Sequence, residues 1–223
     1  MFLNCGDMNS HQKFLEILAQ KIASLSTDRI QRVAIDGVDG AGKTTFADAL
    51  LPLIENFGRK VIRASVDGFH NSRKIRYRHG KGPESFFNDS YNYTELIKVL
   101  LDPLSPNGDR KYISAIFNVD KDEPILSQPK IANGSEILLF DGIFLHRSEL
   151  RDYWDYSIFL DVAFEKSIPR GAQRGTGSPD VFAPSNIRYI EGQKIYLSQC
   201  RPQEKATLHV DYNNLDLPSI IRI

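Results

Sequence analysis

The chain has 223 residues, enough for one large domain with its own hydrophobic core. Lysine and arginine number 28, as do aspartate and glutamate, so the formal net charge of zero argues against nucleic-acid binding through a general basic surface. No apolar run approaches the roughly 20 residues of a membrane span, and the first residues lack a secretory signal pattern. We therefore expect a cytoplasmic protein without nucleic-acid or membrane partners.

A phosphate-binding loop is the clearest motif near the beginning of the chain. A first helix is predicted from Ser10, and an apolar strand at residues 33–35 comes before the sequence GVDGAGKT. This run fits the pattern G-x-x-x-x-G-K-[ST], and an amphipathic helix follows it. The loop amides and the helix N-terminus attract phosphate oxygens, so we expect Lys43 to reach the β- and γ-phosphates of ATP and Thr44 to bind Mg²⁺. The predicted nucleotide-binding residues are Gly37, Asp39, Gly40, Ala41, Gly42, Lys43, Thr44 and Thr45.

The middle of the chain predicts a second strand and an inserted region. Residues 60–66 read as a strand that ends at Asp67, and a polar stretch without a clear pattern follows it. A helix is predicted over residues 93–101, and residues 110–118 alternate as a strand that forms a hairpin with residues near 124–125. A basic run of Arg73, Arg76 and Arg78 follows Asp67, and it is either a solvated surface or a contact to phosphate or acceptor.

The last part of the chain predicts two further strands, a lid and a long helix. Residues 136–140 form a strongly apolar strand that ends at Asp141, and residues 156–160 form another. A glycine- and proline-rich stretch over residues 165–185 is the expected lid, where Arg170 and Arg174 lie four residues apart. Residues 184–200 read as a helix and residues 207–210 as the last strand.

Strands that alternate with helices predict an α/β fold with a parallel five-stranded sheet, helices on both faces, a small β-hairpin and a lid. Such sheets bind ligands beyond the carboxyl ends of their strands, where Asp67 and Asp141 are expected. A phosphate loop alone fits a small-molecule kinase, a GTPase or an ATP-driven machine. The guanine-reading sequence of a GTPase is missing at the required spacing, so the motifs favour a kinase in which Asp67 acts as the base and Asp141 lies near Mg²⁺.

Several runs resemble one superfamily of small-molecule kinases. Asp67-Gly68-Phe69-His70 resembles a D-[SG]-F-[YH] segment of uridine kinases, phosphoribulokinases and pantothenate kinases. Residues 140–144 (FDGIF) resemble the E-G-[IV] strand end of these proteins, and residues 145–150 (LHRSEL) resemble the HRPEL-like run of uridine kinase-like proteins. Arg188-Tyr189 and Cys200-Arg201-Pro202 match the tail of the same group.

The resemblance implies a single P-loop kinase domain over residues 1–223, with an acceptor-site insert over about 68–125 and the lid over about 165–185. It implies the nucleoside-kinase-like fold of the P-loop NTPases and ATP-dependent phosphorylation of a hydroxyl group, with a nucleoside as the expected acceptor. It gives Asp67 the role of general base and places Arg170 and Arg174 in the lid, and the hairpin would shape the acceptor pocket. The predicted acceptor-binding residues are His70, Arg78, Phe117 and Arg147.

The chain departs from the family pattern at two places. It has Asp141 where uridine kinases have a longer glutamate near Mg²⁺, and it has the sequence DGFH where they have DSFY. The alternatives are therefore a kinase for another acceptor, such as pantothenate, a ribosylated cofactor precursor or a sugar phosphate, and a non-catalytic regulator that binds ATP. Self-association is left open.

Overall fold

A computed structural model describes residues 10–173, 175 and 177–223 of the chain. In chain order, the helices are α1 Ser10–Ala23, α2 Lys43–Asn56, α3 Arg73–Arg76, α4 Pro83–Asp89, α5 Tyr93–Leu96, α6 Phe164–Ala172, α7 Pro184–Cys200 and α8 Pro202–Lys205. The strands are β1 Gln31–Gly37, β2 Val61–Ser65, β3 Lys111–Tyr112, β4 Phe117–Asn118, β5 Glu123–Pro124, β6 Lys130–Ile131, β7 Ile137–Gly142, β8 Tyr156–Asp161, β9 Leu208–Asp211 and β10 Ser219–Arg222. Shorter turns of 3₁₀-helix span Val66–Phe69 and Arg151–Tyr153, and a π-helical turn spans Ile97–Leu101.

The main sheet has six strands in the order β10-β9-β8-β1-β7-β2. The five strands from β9 to β2 run parallel, which confirms the predicted parallel sheet. The sixth strand, β10, pairs with β9 in the antiparallel direction and was not predicted. All four of its residues are exposed, so no alternation of buried and exposed positions marks it in the sequence.

Helices cover both faces of the sheet, and every residue of β1 and β7 is buried. Val33 and Ile35 pack in one cluster with apolar residues of α1 and α2. Ala34, which lies between them and points to the opposite face, packs in a second cluster with residues of α4, α5 and α7. Strands buried on both faces give the continuous apolar runs seen in the sequence. No helix in the described part of the chain is long and apolar enough to cross a membrane.

The region between β2 and β7 folds over the carboxyl edge of the sheet. The predicted strand at residues 110–118 is divided, since Lys111–Tyr112 pairs with Lys130–Ile131 and Phe117–Asn118 pairs with Glu123–Pro124. The second pair confirms the small hairpin. The strand is interrupted because the backbone amides between its halves bond elsewhere: Ile113 N donates to Val99 O at 2.8 Å, and Ile116 N donates to Gly68 O at 2.8 Å.

Candidate active site

The predicted phosphate loop lies between the end of β1 and the first turn of α2. Gly40 and Gly42 have φ angles of +72° and +93°, in the left-handed region that favours glycine. A Cβ atom on Gly40 would lie 2.0 Å from the backbone oxygen of Ser167 in α6, so the loop and α6 approach too closely for any side chain there. Gly42 comes directly before α2, whose free N–H groups therefore open towards the loop.

Lys43 and Thr44, the first residues of α2, lie at the floor of this loop. Lys43 Nζ donates a hydrogen bond to the backbone oxygen of Val38 at 2.8 Å, so the ammonium group is held over the loop. Thr44 Oγ1 donates to Asp141 Oδ2 at 2.7 Å. Asp141 lies on β7 and is only 1% exposed, and its second oxygen is 2.7 Å from Arg63 Nη1. Arg63 was not predicted as a site residue, because its role depends on Asp141 of the neighbouring strand β7.

The Thr44–Asp141 pair is suited to hold Mg²⁺ beside a bound triphosphate. Mg²⁺ prefers oxygen ligands and is usually bound by one or two protein groups together with substrate phosphates and water. A hydroxyl and a carboxylate 2.7 Å apart at the end of the phosphate loop are such groups. Among residues 10–173, 175 and 177–223, no group of three histidine, cysteine, aspartate or glutamate side chains could enclose a metal.

A buried polar network supports the beginning of the phosphate loop. Asp36 is fully buried, and its Oδ1 accepts a hydrogen bond from the Gly37 amide at 2.7 Å. His146 Nδ1 lies 2.6 Å from Asp36 Oδ2, which also accepts a short hydrogen bond from the Tyr196 hydroxyl. His146 Nε2 contacts Ser157 Oγ at 3.0 Å. The network joins β1 to β8, α7 and the segment after β7. The sequence analysis did not identify it, although an aspartate inside a buried strand is a visible signal.

Asp67 lies just beyond the carboxyl end of β2, in the turn Val66–Phe69, as predicted. Its Oδ1 accepts a hydrogen bond from the Tyr91 hydroxyl at 3.3 Å and lies 3.7 Å from His70 Nε2. The side chain faces a cleft, where 67% of its surface is exposed to solvent, although protein groups surround the cleft closely. Desolvation by these groups raises the pKa of Asp67, the Asp39 and Asp141 carboxylates add to the rise, and Lys43 opposes it.

His70 is held as a neutral side chain next to Asp67. Burial and the positive charge of Arg76 lower its pKa to about 4. The ring stacks on Tyr91 with 4.4 Å between centroids, and Nδ1 lies 3.2 Å from the backbone oxygen of Ser90. A carbonyl oxygen only accepts, so Nδ1 carries the proton and Nε2 is left as an acceptor beside the Asp67 carboxylate. A hydroxyl group of a ligand can donate its proton at this point.

One cleft of about 750 Å³ joins the phosphate loop to Asp67 and His70. Its walls come from the phosphate loop, the turn after β2, the helices α3, α4, α6 and α7, and the tip of the β4–β5 hairpin. The residues that line the cleft include Asp39, Gly40, Thr44, Asp67, His70, Arg76, Tyr77, Phe86, Tyr91, Asp120, Ser185, Asn186, Arg188 and Tyr189. The hairpin therefore contributes to the cleft through its tip, on the side predicted for the acceptor.

The first of the two predicted lid arginines, Arg170, has its partners outside the cleft. Arg170 Nη1 and Nη2 donate to the backbone oxygens of Tyr212 and Asn213 at 3.2 and 2.7 Å, and Arg170 does not line the cleft. Arg174 lies outside the described residues. The spacing of four residues predicts that both arginines lie on one helix face. It contains no information on the backbone carbonyl groups after β9, which bind Arg170.

Three of the predicted acceptor-binding residues lie away from the cleft. Arg78 pairs with the buried carboxylate of Asp89 at 2.9 Å. Arg147 donates to the backbone oxygen of Phe87 at 2.7 Å, and its guanidinium lies 4.1 Å from the centre of that ring. Phe117 is buried in β4. The structure does not bring these residues to the cleft because each of them has a packing or charge partner elsewhere in the fold.

Two other arginines line the cleft instead. Arg76 and Arg188 lie 5.6 and 4.8 Å from the centre of the Tyr77 ring, and both line the cleft that contains Asp67 and His70. The basic run after Asp67 indicated Arg76 as one of several candidates, and the tail motif contained Arg188 without a role. No sequence pattern distinguishes the arginines that face the cleft from those that do not.

Comparison with known proteins agrees with this geometry. Residues 33–193 match the sequence profile of the Phosphoribulokinase / Uridine kinase family. A pantothenate kinase of Hamiltonella defensa subsp. Acyrthosiphon pisum is 25% identical over 146 residues, which are 60% of this chain and 46% of that protein. The chain thus corresponds to about half the length of this curated relative.

Solved structures show the same fold. A possible uridine kinase from Bacillus stearothermophilus has a TM-score of 0.71 at 19% identity, over 89% of this chain and 97% of that one. The phosphoribulokinase from Rhodobacter spheroides has a TM-score of 0.54 at 14% identity, over 86% of this chain and 75% of that one. The profile match covers more than half of the sequence and includes both the phosphate loop and Asp67. The chain therefore belongs to the phosphoribulokinase and uridine kinase family of P-loop small-molecule kinases.

Proposed function

We propose that the protein transfers the γ-phosphoryl group of ATP to a hydroxyl group of a small molecule, with Mg²⁺ as the metal. One observation carries this proposal. A single cleft contains a phosphate loop with its Thr44–Asp141 pair and, beyond the end of the neighbouring strand, the Asp67 carboxylate with a neutral histidine. A phosphoryl donor and a proton acceptor for the attacking hydroxyl are both needed for such a transfer.

The role of each residue in the reaction follows from its position in the cleft. ATP supplies the phosphoryl group, and Mg²⁺ offsets the charge of its oxygens when both are bound. The loop amides and Lys43 hold the phosphates, and Thr44 and Asp141 hold the metal. Asp67 takes the proton of the acceptor hydroxyl, while His70 Nε2 orients the acceptor by accepting a hydrogen bond from a second donor group on it. Arg174 keeps its predicted lid role, and Arg170 can join it only by leaving its two carbonyl partners.

The resemblance to uridine kinases supports a nucleoside as the acceptor. The relatives carry different names, namely uridine kinase, phosphoribulokinase, D-glycerate 3-kinase and pantothenate kinase. Pantothenate, a ribosylated cofactor precursor or a sugar phosphate are thus the alternative acceptors. The cytoplasmic location predicted from the sequence is part of this proposal, and self-association is left open.

A non-catalytic ATP-binding regulator is the second candidate. It would need the phosphate loop but no base, and a regulator gains nothing from a carboxylate beside a neutral histidine. The presence of Asp67, Tyr91 and His70 in one contact cluster therefore favours the enzyme.

The test is release of ADP from ATP and Mg²⁺ in the presence of nucleosides, pantothenate, ribosides and sugar phosphates, each added separately. The proposal predicts ADP release that depends on an acceptor and that is lost, together with tight ATP binding, in Lys43→Ala. ATP binding without acceptor-dependent ADP release across the set would instead support the regulator. Unchanged ATP affinity and turnover in Lys43→Ala would refute the assignment of the loop.

A further inference from the structure

We propose that the acceptor carries a negatively charged oxyanion group, a carboxylate or a phosphate, and that Arg188 and Arg76 bind it at the wall of the cleft. This inference rests on the proposed function, because it names the class of molecule whose hydroxyl group reaches Asp67. It favours a hydroxy acid or a phosphorylated alcohol over an uncharged nucleoside.

The positive charge of Arg188 has no ionic partner in the part of the chain that the structure describes. Among residues 10–173, 175 and 177–223, its guanidinium makes no ion pair or hydrogen bond, and its Nε is buried without an acceptor. The group lies over the rings of Tyr77, Phe86 and Tyr189 at 4.8, 5.7 and 5.8 Å from their centres. These rings hold the guanidinium at the wall of the cleft, where a planar fork of donors matches a carboxylate or phosphate.

Arg76 contributes a second positive charge beside Tyr77. Its side chain is 13% exposed, and its Nη2 lies 3.4 Å from Asp122 Oδ1, which offsets only part of the charge. Its Nε is also buried without an acceptor. Arg76 lies close enough to His70 for its charge to lower the pKa of that histidine, so it belongs to the part of the cleft that contains Asp67.

The amino end of α7 adds to the attraction for an anion. Ser185, Asn186 and Arg188 lie in the first turns of this 17-residue helix and line the cleft. The helix begins at Pro184 with no side-chain cap and no acidic residue in its first turn. The partial positive charge of the helix end and the free guanidinium therefore act on the same region.

The rings around Arg188 favour a group of the acceptor as its partner. The aromatic neighbours of Arg188 include Tyr77 and Phe86, which belong to the predicted acceptor insert and not to the phosphate loop. Asp120 at the hairpin tip is the acidic residue of the cleft wall on this side, and it is exposed to solvent. Since Asp122 pairs with Arg76, Arg188 and the helix end are the positive groups there without an ionic partner among the described residues, and an uncharged acceptor would leave them so.

The test compares acceptors in matched pairs that differ by one anionic group: D-glycerate with glycerol, pantothenate with pantothenol, and ribulose 5-phosphate with ribulose. Uridine is added as an uncharged nucleoside. Binding is measured by calorimetry in the presence of Mg²⁺ and a non-hydrolysable ATP analogue, and turnover is measured as ADP release. We expect at least one anionic member to bind and to be phosphorylated, while its uncharged counterpart is at least about tenfold poorer. The carboxylate and phosphate pairs identify which oxyanion the site takes.

Variants connect the preference to the two arginines. Arg188→Gln and Arg76→Gln should each raise KM for the anionic acceptor at least about tenfold with little change in kcat. Arg188→Lys should recover part of the loss, because it restores charge without the planar fork. Arg73→Gln is the matched control, since Arg73 is an exposed arginine of the same segment outside the cleft wall.

Three results would overturn the inference: binding of no anionic member of the set, equal use of charged and uncharged members, or an Arg188→Gln variant that lowers kcat equally for all acceptors. The last result would show that Arg188 acts on the transferring phosphoryl group. An anionic member that binds through Arg188 without any ADP release would refute the proposed reaction and leave the anion site in place. The two failures are thus distinguishable.

Discussion

Asp67 and His70 show how neighbouring side chains divide two roles through their environments. Desolvation and two nearby carboxylates raise the pKa of Asp67, which makes the carboxylate a better proton acceptor. Burial and Arg76 lower the pKa of His70 to about 4, so the imidazole stays neutral near pH 7. The histidine is thus suited to accept a hydrogen bond from one donor group of the acceptor, and the aspartate is suited to take the proton of the attacking hydroxyl.

The raised pKa of Asp67 predicts an acid limb in the rate profile. A base must be deprotonated to work, so kcat/KM should fall as the pH drops through the pKa of Asp67, which lies above its ordinary value of 3.8. The measurement is kcat/KM against pH for the wild type and for Asp67→Asn, with folding checked at each pH. The same acid limb in both proteins would assign it to another group.

The lowered pKa of His70 predicts a loss of stability in mild acid. The folded state binds fewer protons than the unfolded state between pH 6.5 and about 4. The contribution of neutral His70 to the free energy of unfolding is therefore present above pH 6.5 and is lost as the pH falls. This corresponds to about 2 kcal/mol between about pH 7.5 and about pH 5. Urea unfolding at both pH values should show this difference between the wild type and His70→Gln, which keeps a donor for the Ser90 carbonyl. Parallel losses in the two proteins would contradict it.

At the scale of elements, the phosphate loop is fixed by its contact with α6. A Cβ atom on Gly40 would lie 2.0 Å from the Ser167 oxygen, whereas a Cβ atom on Gly58, which has a φ of +82°, would meet nothing within 4 Å. Gly58→Ala should therefore cost only the left-handed strain of about 1–2 kcal/mol. Gly40→Ala should cost clearly more in unfolding free energy and should weaken ATP binding, as measured by urea unfolding and calorimetry. Equal losses in the two variants would show that the contact with α6 does not matter.

Local sequence patterns predicted the elements that carry the phosphate site. The glycine spacing, the apolar strands and the position of a carboxylate after a strand depend on neighbours in sequence, so the loop, Asp67 and Asp141 lie where we expected them. Whether an arginine faces the cleft depends on partners that are distant in the sequence. Arg78 is held by Asp89, Arg147 by the Phe87 carbonyl and Arg170 by the segment after β9, whereas Arg188 has no such partner among the residues that the structure describes. Composition and spacing contain no record of these contacts.

At the scale of the whole molecule, the sheet order brings the reacting groups together. β1 lies beside β7, and β7 lies beside β2. The phosphate loop follows β1, Asp141 lies near the end of β7, and Asp67 follows β2. All three therefore lie at the carboxyl ends of adjacent parallel strands. The tip of the β4–β5 hairpin and the first turns of α7 complete the cleft wall. A chain with zero net charge thereby gathers positive groups locally, as phosphate recognition requires.

The most direct test of the central claim is transfer of a radiolabelled terminal phosphate from ATP to the acceptor in wild type, Asp67→Asn and Asp152→Asn. Asp152 is an exposed aspartate outside the cleft wall, so its variant controls for the loss of a carboxylate. We predict labelled acceptor with the wild type and the control, and a rate at least about 100-fold lower in Asp67→Asn with ATP binding retained. Transfer at a near-normal rate in Asp67→Asn would contradict the account. Release of the label as inorganic phosphate, without labelled acceptor, would also contradict it.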